Sequence, residues 1–125
     1  MTLLEEKDHL GGQLALASRV PHKDGFRDVI RQLGLMAERA GVRVRLGITA
    51  TTEDILAGNP DAVIIATGAT PLRGALSGTD DLPWILAGEV LDGEVELTDA
   101  AVLLVGGGLV GLEAADFLSA RGNKV

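Results

Sequence analysis

Residues 101–125 read AVLLVGGGLVGLEAADFLSARGNKV. A short apolar run, Val102 to Val105, leads into Gly106-Gly107-Gly108-Leu109-Val110-Gly111, and an amphipathic segment follows at once. The order is strand, G-x-G-x-x-G turn, helix, which is the first half of a dinucleotide-binding βαβ unit. Gly106 permits the tight turn, Gly108 lets backbone N–H groups approach a pyrophosphate, and Gly111 lets the helix pack closely on the strand. The helix N-terminus adds unpaired N–H groups and the positive end of its dipole. Three glycines in six positions also occur in ordinary turns; the flanking strand and helix favour the nucleotide-binding reading. The second strand of the unit is expected to begin at the Val125 end, with the ribose-reading acid or phosphate-reading arginine beyond it.

The chain has the length of one ordinary domain, 125 residues, with 46% hydrophobic and only 2% aromatic residues. Its core is therefore built from Val, Ile, Leu and Ala, as suits a parallel sheet covered by helices. The absence of cysteine excludes disulfides, a thiolate nucleophile and a cysteine-bound iron–sulfur cluster within these residues. His9 and His22 lack the neighbours of a zinc site. A net charge of −7 argues against nucleic acid or an anionic membrane as partner. The longest apolar runs, 62–66 and 100–105, fall far short of the ~20 residues that span a bilayer. With an acidic rather than apolar N-terminal stretch, a cytoplasmic protein is expected.

Upstream, Met1 to Leu4 reads as a strand with Glu5 at its carboxyl end, followed by a glycine-bearing loop at Leu10-Gly11-Gly12-Gln13-Leu14. Ala15 to Lys23 reads as irregular, turned by Pro21. From Asp24 the spacing becomes helical, with Phe26, Val29, Ile30, Leu33, Met36, Ala37 and Ala40 on one face. Asp24 can cap its start and Gly41 its end. Val42 to Leu46 alternates apolar and basic, the pattern of a strand with one exposed face. A short helix is predicted over 52–57 with Thr52 as its cap, and Asp61 to Thr67 reads as a fully buried parallel strand ending at Gly68. Residues 69–83 look like a crossover, 83–92 hold a short helix, and 93–99 form a loop or edge.

Several of these pieces, Thr2-Leu3-Leu4-Glu5, Leu10-Gly11-Gly12-Gln13, Val20-Pro21, Ala66-Thr67-Gly68-Ala69-Thr70-Pro71 and the Gly106–Gly111 turn, occur in an order that resembles 2,4-dienoyl-CoA reductase and its relatives. Those relatives include trimethylamine and histamine dehydrogenases and other NADH:flavin oxidoreductases of the old-yellow-enzyme type. The resemblance implies an α/β, Rossmann-like parallel sheet with flanking helices: an incomplete FAD-type domain joined to the first βα unit of an NAD(P)-type domain. The expected divisions are 1–72 for an FAD- or ADP-binding half without its first βα unit, 73–99 for the crossover, and 100–125 for the start of the NAD(P) half. FMN and a [4Fe-4S] cluster would belong to a barrel domain of the parent enzyme that these residues do not contain. The resemblance places Glu5 on the adenosine ribose and gives Gly11, Gly12 and Gln13 a flavin or nucleotide contact. Lys23 corresponds to a basic residue near the same nucleotide, Ala50 to a backbone contact with adenine, and Thr67 and Gly68 to a close approach of the ligand. Gly106, Gly108 and Gly111 would hold NAD(P)H. Glu113 is expected in the first turn of the last helix, favoured there by the helix dipole. Asp99 and Asp116 have no partner base or nucleophile nearby in sequence, so no catalytic residue is named.

Two function classes follow. One is an adenine-dinucleotide-binding portion of a flavin-dependent NAD(P)H oxidoreductase; the other is a non-catalytic ADP-binding or assembly domain. A simple nicotinamide-dependent dehydrogenase fits poorly with Gly11-Gly12-Gln13 and Ala66-Thr67-Gly68. The two ends also invite a permuted reading. From Gly111, 14 residues reach Val125 and five more reach Glu5, against the ~20 expected between fingerprint and ribose acid. Strand 101–106 could thus occupy the slot beside strand 1–5, within one chain or swapped between two copies.

Overall fold

The structure, a computed structural model, describes residues 1–72 and 84–125. The crossover expectation over 73–83 lies outside the described residues. Two compact units are resolved by their contacts: Met1–Ala15 with Phe26–Gly68, and Leu16–Gly25 with Ala69–Val125.

In the first unit, β1 (Thr2–Leu4) and β2 (Arg43–Arg45) pair in parallel, with Thr2 opposite Arg43 and Leu4 opposite Arg45. Backbone bonds extend the pairing past both strands: Glu5 N–H donates to Arg45 C=O at 3.0 Å and Ile48 N–H to Glu5 C=O at 2.8 Å. A parallel pair needs a crossover, and α2 (Gly25–Arg39) provides it. This helix starts directly after Asp24. It ends as anticipated at Gly41, φ 77°. Gly41 N–H donates to Glu38 C=O at 2.9 Å and Val42 N–H to Ala37 C=O at 3.0 Å, the paired bonds of a Schellman stop.

Three expectations for this stretch of chain change. Residues 12–17 form a short helix, α1 (Gly12–Ala17), where a loop and an irregular segment were predicted. Its sequence GQLALA consists largely of strong helix formers, and Gly11 C=O accepts from both Leu14 and Ala15 N–H. The cap of α3 (Thr52–Ala57) is Thr51, not Thr52. Thr51 has an acid three residues on, so Asp54 N–H donates to its Oγ1 at 3.2 Å while the Asp54 carboxylate accepts the Thr51 N–H at 3.0 Å. Thr52 has Ile55 there and could not close the reciprocal box. Finally, Asp61 to Thr67 is not a buried strand. No ladder bond holds it among the described residues, and Ile64 and Ile65 are 85% and 72% exposed. An apolar run of this kind is buried only between neighbouring strands, and β1 directs its pairing to β2.

The second unit contains α4 (Ala87–Asp92) and α5 (Leu109–Ser119). Val20, Val90, Leu91, Phe117 and Leu118 form its core, with Leu16, Leu97 and Val102 packed against them. Arg19 secures the carboxyl end of α4, donating to Leu91 C=O at 3.2 Å and Asp92 C=O at 2.6 Å, where a cation also complements the helix dipole. Ala101 bridges in parallel to Lys124. Val102 N–H donates to Lys124 C=O and Lys124 N–H to Ala100 C=O, both at 2.8 Å. Beyond this isolated bridge the strand expected over Val102 to Val105 does not form: Leu103 and Val105 are 91% and 67% exposed, because no further ladder bond holds them among the described residues. Together these elements form a Rossmann-like fragment with parallel pairing and flanking helices. Among the described residues, no helix is long and apolar enough to cross a membrane.

Candidate functional site

The glycine turn is built for close approach. Gly106 stands at φ 116°, a conformation closed to ordinary side chains. A Cβ on Gly111 would drive into the Gly106 carbonyl oxygen and come within 2.9 Å of its carbon and 3.1 Å of Leu104 Cδ2. The third glycine therefore lets α5 pack onto the segment that leads into the turn. At Gly108, by contrast, a Cβ would meet nothing within 4 Å: the space in front of the helix start is open. Gly108 is the N-cap of α5 and has no side chain to satisfy the first N–H groups, and the first turn carries no acid. Those groups have no intrahelical acceptor. An open, glycine-floored, uncapped helix start of this kind fits an anionic pyrophosphate.

Glu113 does not lie in the first turn, as the sequence reading placed it, but in the second. It is half-buried and paired with Lys23, whose Nζ meets its Oε1. Sequence reasoning missed this pair because 90 positions separate the partners. The same helix is fixed from its far end by Asn123, 7% exposed. Its amide donates to Leu97 C=O at 2.8 Å and Leu118 C=O at 3.0 Å, while its Oδ1 accepts the Ala100 N–H at 3.1 Å. One buried side chain thus ties the end of α5 to the segment from Leu97 to Ala100. The Arg121 guanidinium lies over the Phe117 ring, 3.5 Å from its centroid.

In the first unit, Glu5 follows β1 directly and is half-buried. Its Oε1 accepts the Lys7 N–H at 3.0 Å, which holds the carboxylate at the carboxyl end of the strand pair. That is the end at which open α/β sheets receive ligands. A cavity of about 580 Å³ opens at the same end, lined by the last residues of both strands, Leu4 and Arg45, together with Ile48, Thr49 and Asp54. Ala50 is exposed beside Thr49, and Asp54 is held in the α3 capping box. Hydrogen bonds from the Thr51 N–H and hydroxyl, with Arg45's charge adding to them, hold the Asp54 carboxyl below its ordinary range. Gly11, φ 122°, has a packing reason of its own, because a Cβ there would come within 2.8 Å of Ile30 Cδ1. Gly12 and Gln13 begin α1, with Gln13 exposed. Thr67 and Gly68 are exposed, Gly68 at φ 77° with open space where a Cβ would stand. Among the described residues, no cluster of histidine and acid side chains could hold a metal.

With this geometry in view, the chain resembles known proteins over its whole length. The pyridine nucleotide-disulphide oxidoreductase family matches residues 1–125. A NADH oxidase of Thermoanaerobacter brockii is 43% identical over 126 residues, covering 98% of this chain and 19% of that protein. A bilirubin reductase of Mediterraneibacter gnavus is 40% identical over 126 residues, covering 100% of this chain and 19% of that protein. A solved structure of 2-naphthoyl-CoA reductase with 2-naphthoyl-CoA superposes with a TM-score of 0.88 at 27% identity, over 98% of this chain and 19% of its own. The chain thus spans about one-fifth of the length of these relatives.

Proposed function

Because the chain belongs to the pyridine nucleotide-disulphide oxidoreductase family, we propose that it supplies part of the dinucleotide-binding surface of a larger flavin-dependent NAD(P)H oxidoreductase. The observation that carries this reading is the Gly106–Gly111 turn, with Gly111 pressed against the Gly106 carbonyl and an uncapped helix start facing open space. In this reading Gly106, Gly108 and Gly111 receive the pyrophosphate of NAD(P)H. Glu5 accepts hydrogen bonds from the adenosine ribose of FAD or ADP, with Gly11, Gly12, Gln13, Ala50, Thr67 and Gly68 as further contacts.

When bound, NAD(P)H supplies a hydride and FAD accepts it. The chain's own residues bind and orient: glycine N–H groups hold phosphate, and the Glu5 carboxylate fixes a sugar. The family is one of reductases and oxidases, and the resemblance to 2,4-dienoyl-CoA reductase would place FMN and a [4Fe-4S] cluster in the rest of the protein, with an enoyl-type substrate. If the protein follows the amine-dehydrogenase branch instead, the same residues hold an inert ADP.

Absorbance and titration of the purified intact protein test this. The expected result is a visible flavin band, bleached by NADH or NADPH with a Kd in the micromolar range. An ultraviolet excess without a flavin band points to ADP, and no nucleotide at all overturns the reading.

A further inference from the structure

Val20-Pro21-His22-Lys23 is a tight turn with an unusual occupant. Lys23 N–H donates to Val20 C=O at 3.3 Å, Pro21 holds the second position, and His22 stands at φ 65° in the third. These are the marks of a type II turn, whose third position favours glycine or asparagine. A histidine there accepts steric strain that glycine would avoid. Both ends of the turn are anchored on α5. Val20, 4% exposed, lies in the core cluster with Phe117 and Leu118, while Lys23 pairs with Glu113. Glu113 and Phe117 are four residues apart and share one face of the helix. The turn therefore delivers an ammonium one helical turn closer to the glycines than its apolar anchor.

That delivery resolves an electrostatic conflict. Glu113 lies one turn inside the helix whose open N-terminus would hold a pyrophosphate. A bare carboxylate so near competes with a phosphate for the same positive potential. Lys23 and Glu113 are both largely shielded, 31% and 16% exposed, so solvent screens the pair incompletely. We propose that Lys23 is a positioning residue for the nicotinamide dinucleotide: by neutralising and orienting Glu113, it keeps the start of α5 attractive to the diphosphate. This rests on the reading of the Gly106–Gly111 turn given under Proposed function.

The test is the Kd of the intact protein for NADH and for NADPH, with each variant's fold checked by circular dichroism. Lys23→Ala weakens both nucleotides by about five- to tenfold, the scale of one partly screened charge near a helix end. Lys23→Arg keeps most of the affinity. Adding Glu113→Gln to Lys23→Ala restores binding to within about twofold of wild type, because removing the acid removes the need for its partner. An ion pair that only held the fold would lower Tm in Lys23→Ala and leave the Kd of the folded protein unchanged. Wild-type affinity in Lys23→Ala, or a double variant no better than Lys23→Ala, overturns this inference alone. If the wild-type protein binds neither nucleotide, the reading of the turn falls and the inference with it.

Discussion

The two units conceal apolar surface very differently. In the unit that holds α5, Val20, Val90, Leu91, Ala114, Phe117 and Leu118 are all buried. Among the described residues of the unit that holds β1 and β2, none is. There the apolar stripe of α2 remains open at Val29, Leu33 and Met36, 45%, 57% and 60% exposed, and Ile64 is more open still. The unit with the strand pair thus leaves its apolar faces open, while the unit built on α4 and α5 closes a core from its own residues. The lesson is that an apolar pattern specifies which face must be covered but not what covers it. In the α5 unit the cover comes from α4 and from the 16–25 turn.

This contrast is most directly broken by truncating an apolar side chain in each unit. Phe117→Ala removes the largest member of the buried cluster and should cost about 3 kcal/mol or more, read as a fall in Tm of the intact protein. Leu33→Ala, on the open stripe of α2, should cost under about 1 kcal/mol. Equal losses would mean that the α2 stripe is covered as fully as the α5 core, and the distinction between the units would fail.

A second pair of variants compares the two glycine turns. Gly111→Ala pushes a methyl group into the Gly106 carbonyl and should cost about 2 kcal/mol, with at least a tenfold loss of NAD(P)H affinity as the helix start shifts. Gly12→Ala meets open space and only the strain of φ 48°, so about 1 kcal/mol is expected, with nicotinamide binding kept. A Gly111→Ala protein that binds NAD(P)H normally would show that close contact between Gly111 and Gly106 is not what shapes the turn.

These glycines mark how far the sequence was legible. The spacing of Gly106, Gly108 and Gly111 announced the turn and α5, because a six-residue motif encodes its own geometry, whereas the strand expected before it is reduced to the bridge at Ala101. The stripe of α2 and its stop at Gly41 were readable for the same local reason. Lys23 on Glu113 was not, since nothing in local pattern reports a contact across 90 positions. Nor was the exposure of Asp61 to Thr67, whose composition speaks of burial while its surroundings decide it. At the start of α3 the sequence offered two adjacent threonines, and the choice lay in the acid three residues on. The α1 helix was hidden behind two glycines that read as a loop.

Asn123 offers a smaller probe of the α5 unit. Its three hydrogen bonds reach Ala100, Leu97 and Leu118; removing them takes this partner from the Ala100 N–H and the Leu97 C=O, while the Leu118 C=O keeps the Arg121 and Asn123 N–H groups. Asn123→Ala should cost about 1–3 kcal/mol. Asn123→Asp should cost as much, because a carboxylate cannot donate to the two carbonyls that the amide now satisfies. Chemical denaturation gives both values; a neutral Asn123→Asp would show that those carbonyls find other donors.

The smallest effect belongs to the open unit, and it carries a sign. Hydrogen bonds from Thr51 hold the Asp54 carboxyl below its ordinary value of 3.8, so the charged form is the one the folded cap favours. The cap's contribution is therefore fully present above pH 3.8 and is lost as pH falls through the lower folded value. Asp54 is exposed, so the loss is local: α3 loosens while the α5 core, which holds no such carboxylate in its apolar cluster, keeps its amide protection. The Thr51 amide resonance should titrate with a midpoint under 3.8, and Thr51→Ala should raise the Asp54 midpoint only part of the way toward the ordinary value, because the Thr51 N–H still donates to the carboxylate, while costing about 1 kcal/mol. A midpoint at or above 3.8 in the wild-type protein would show that Thr51 and Asp54 do not close the box, and that α3 starts on some other contact.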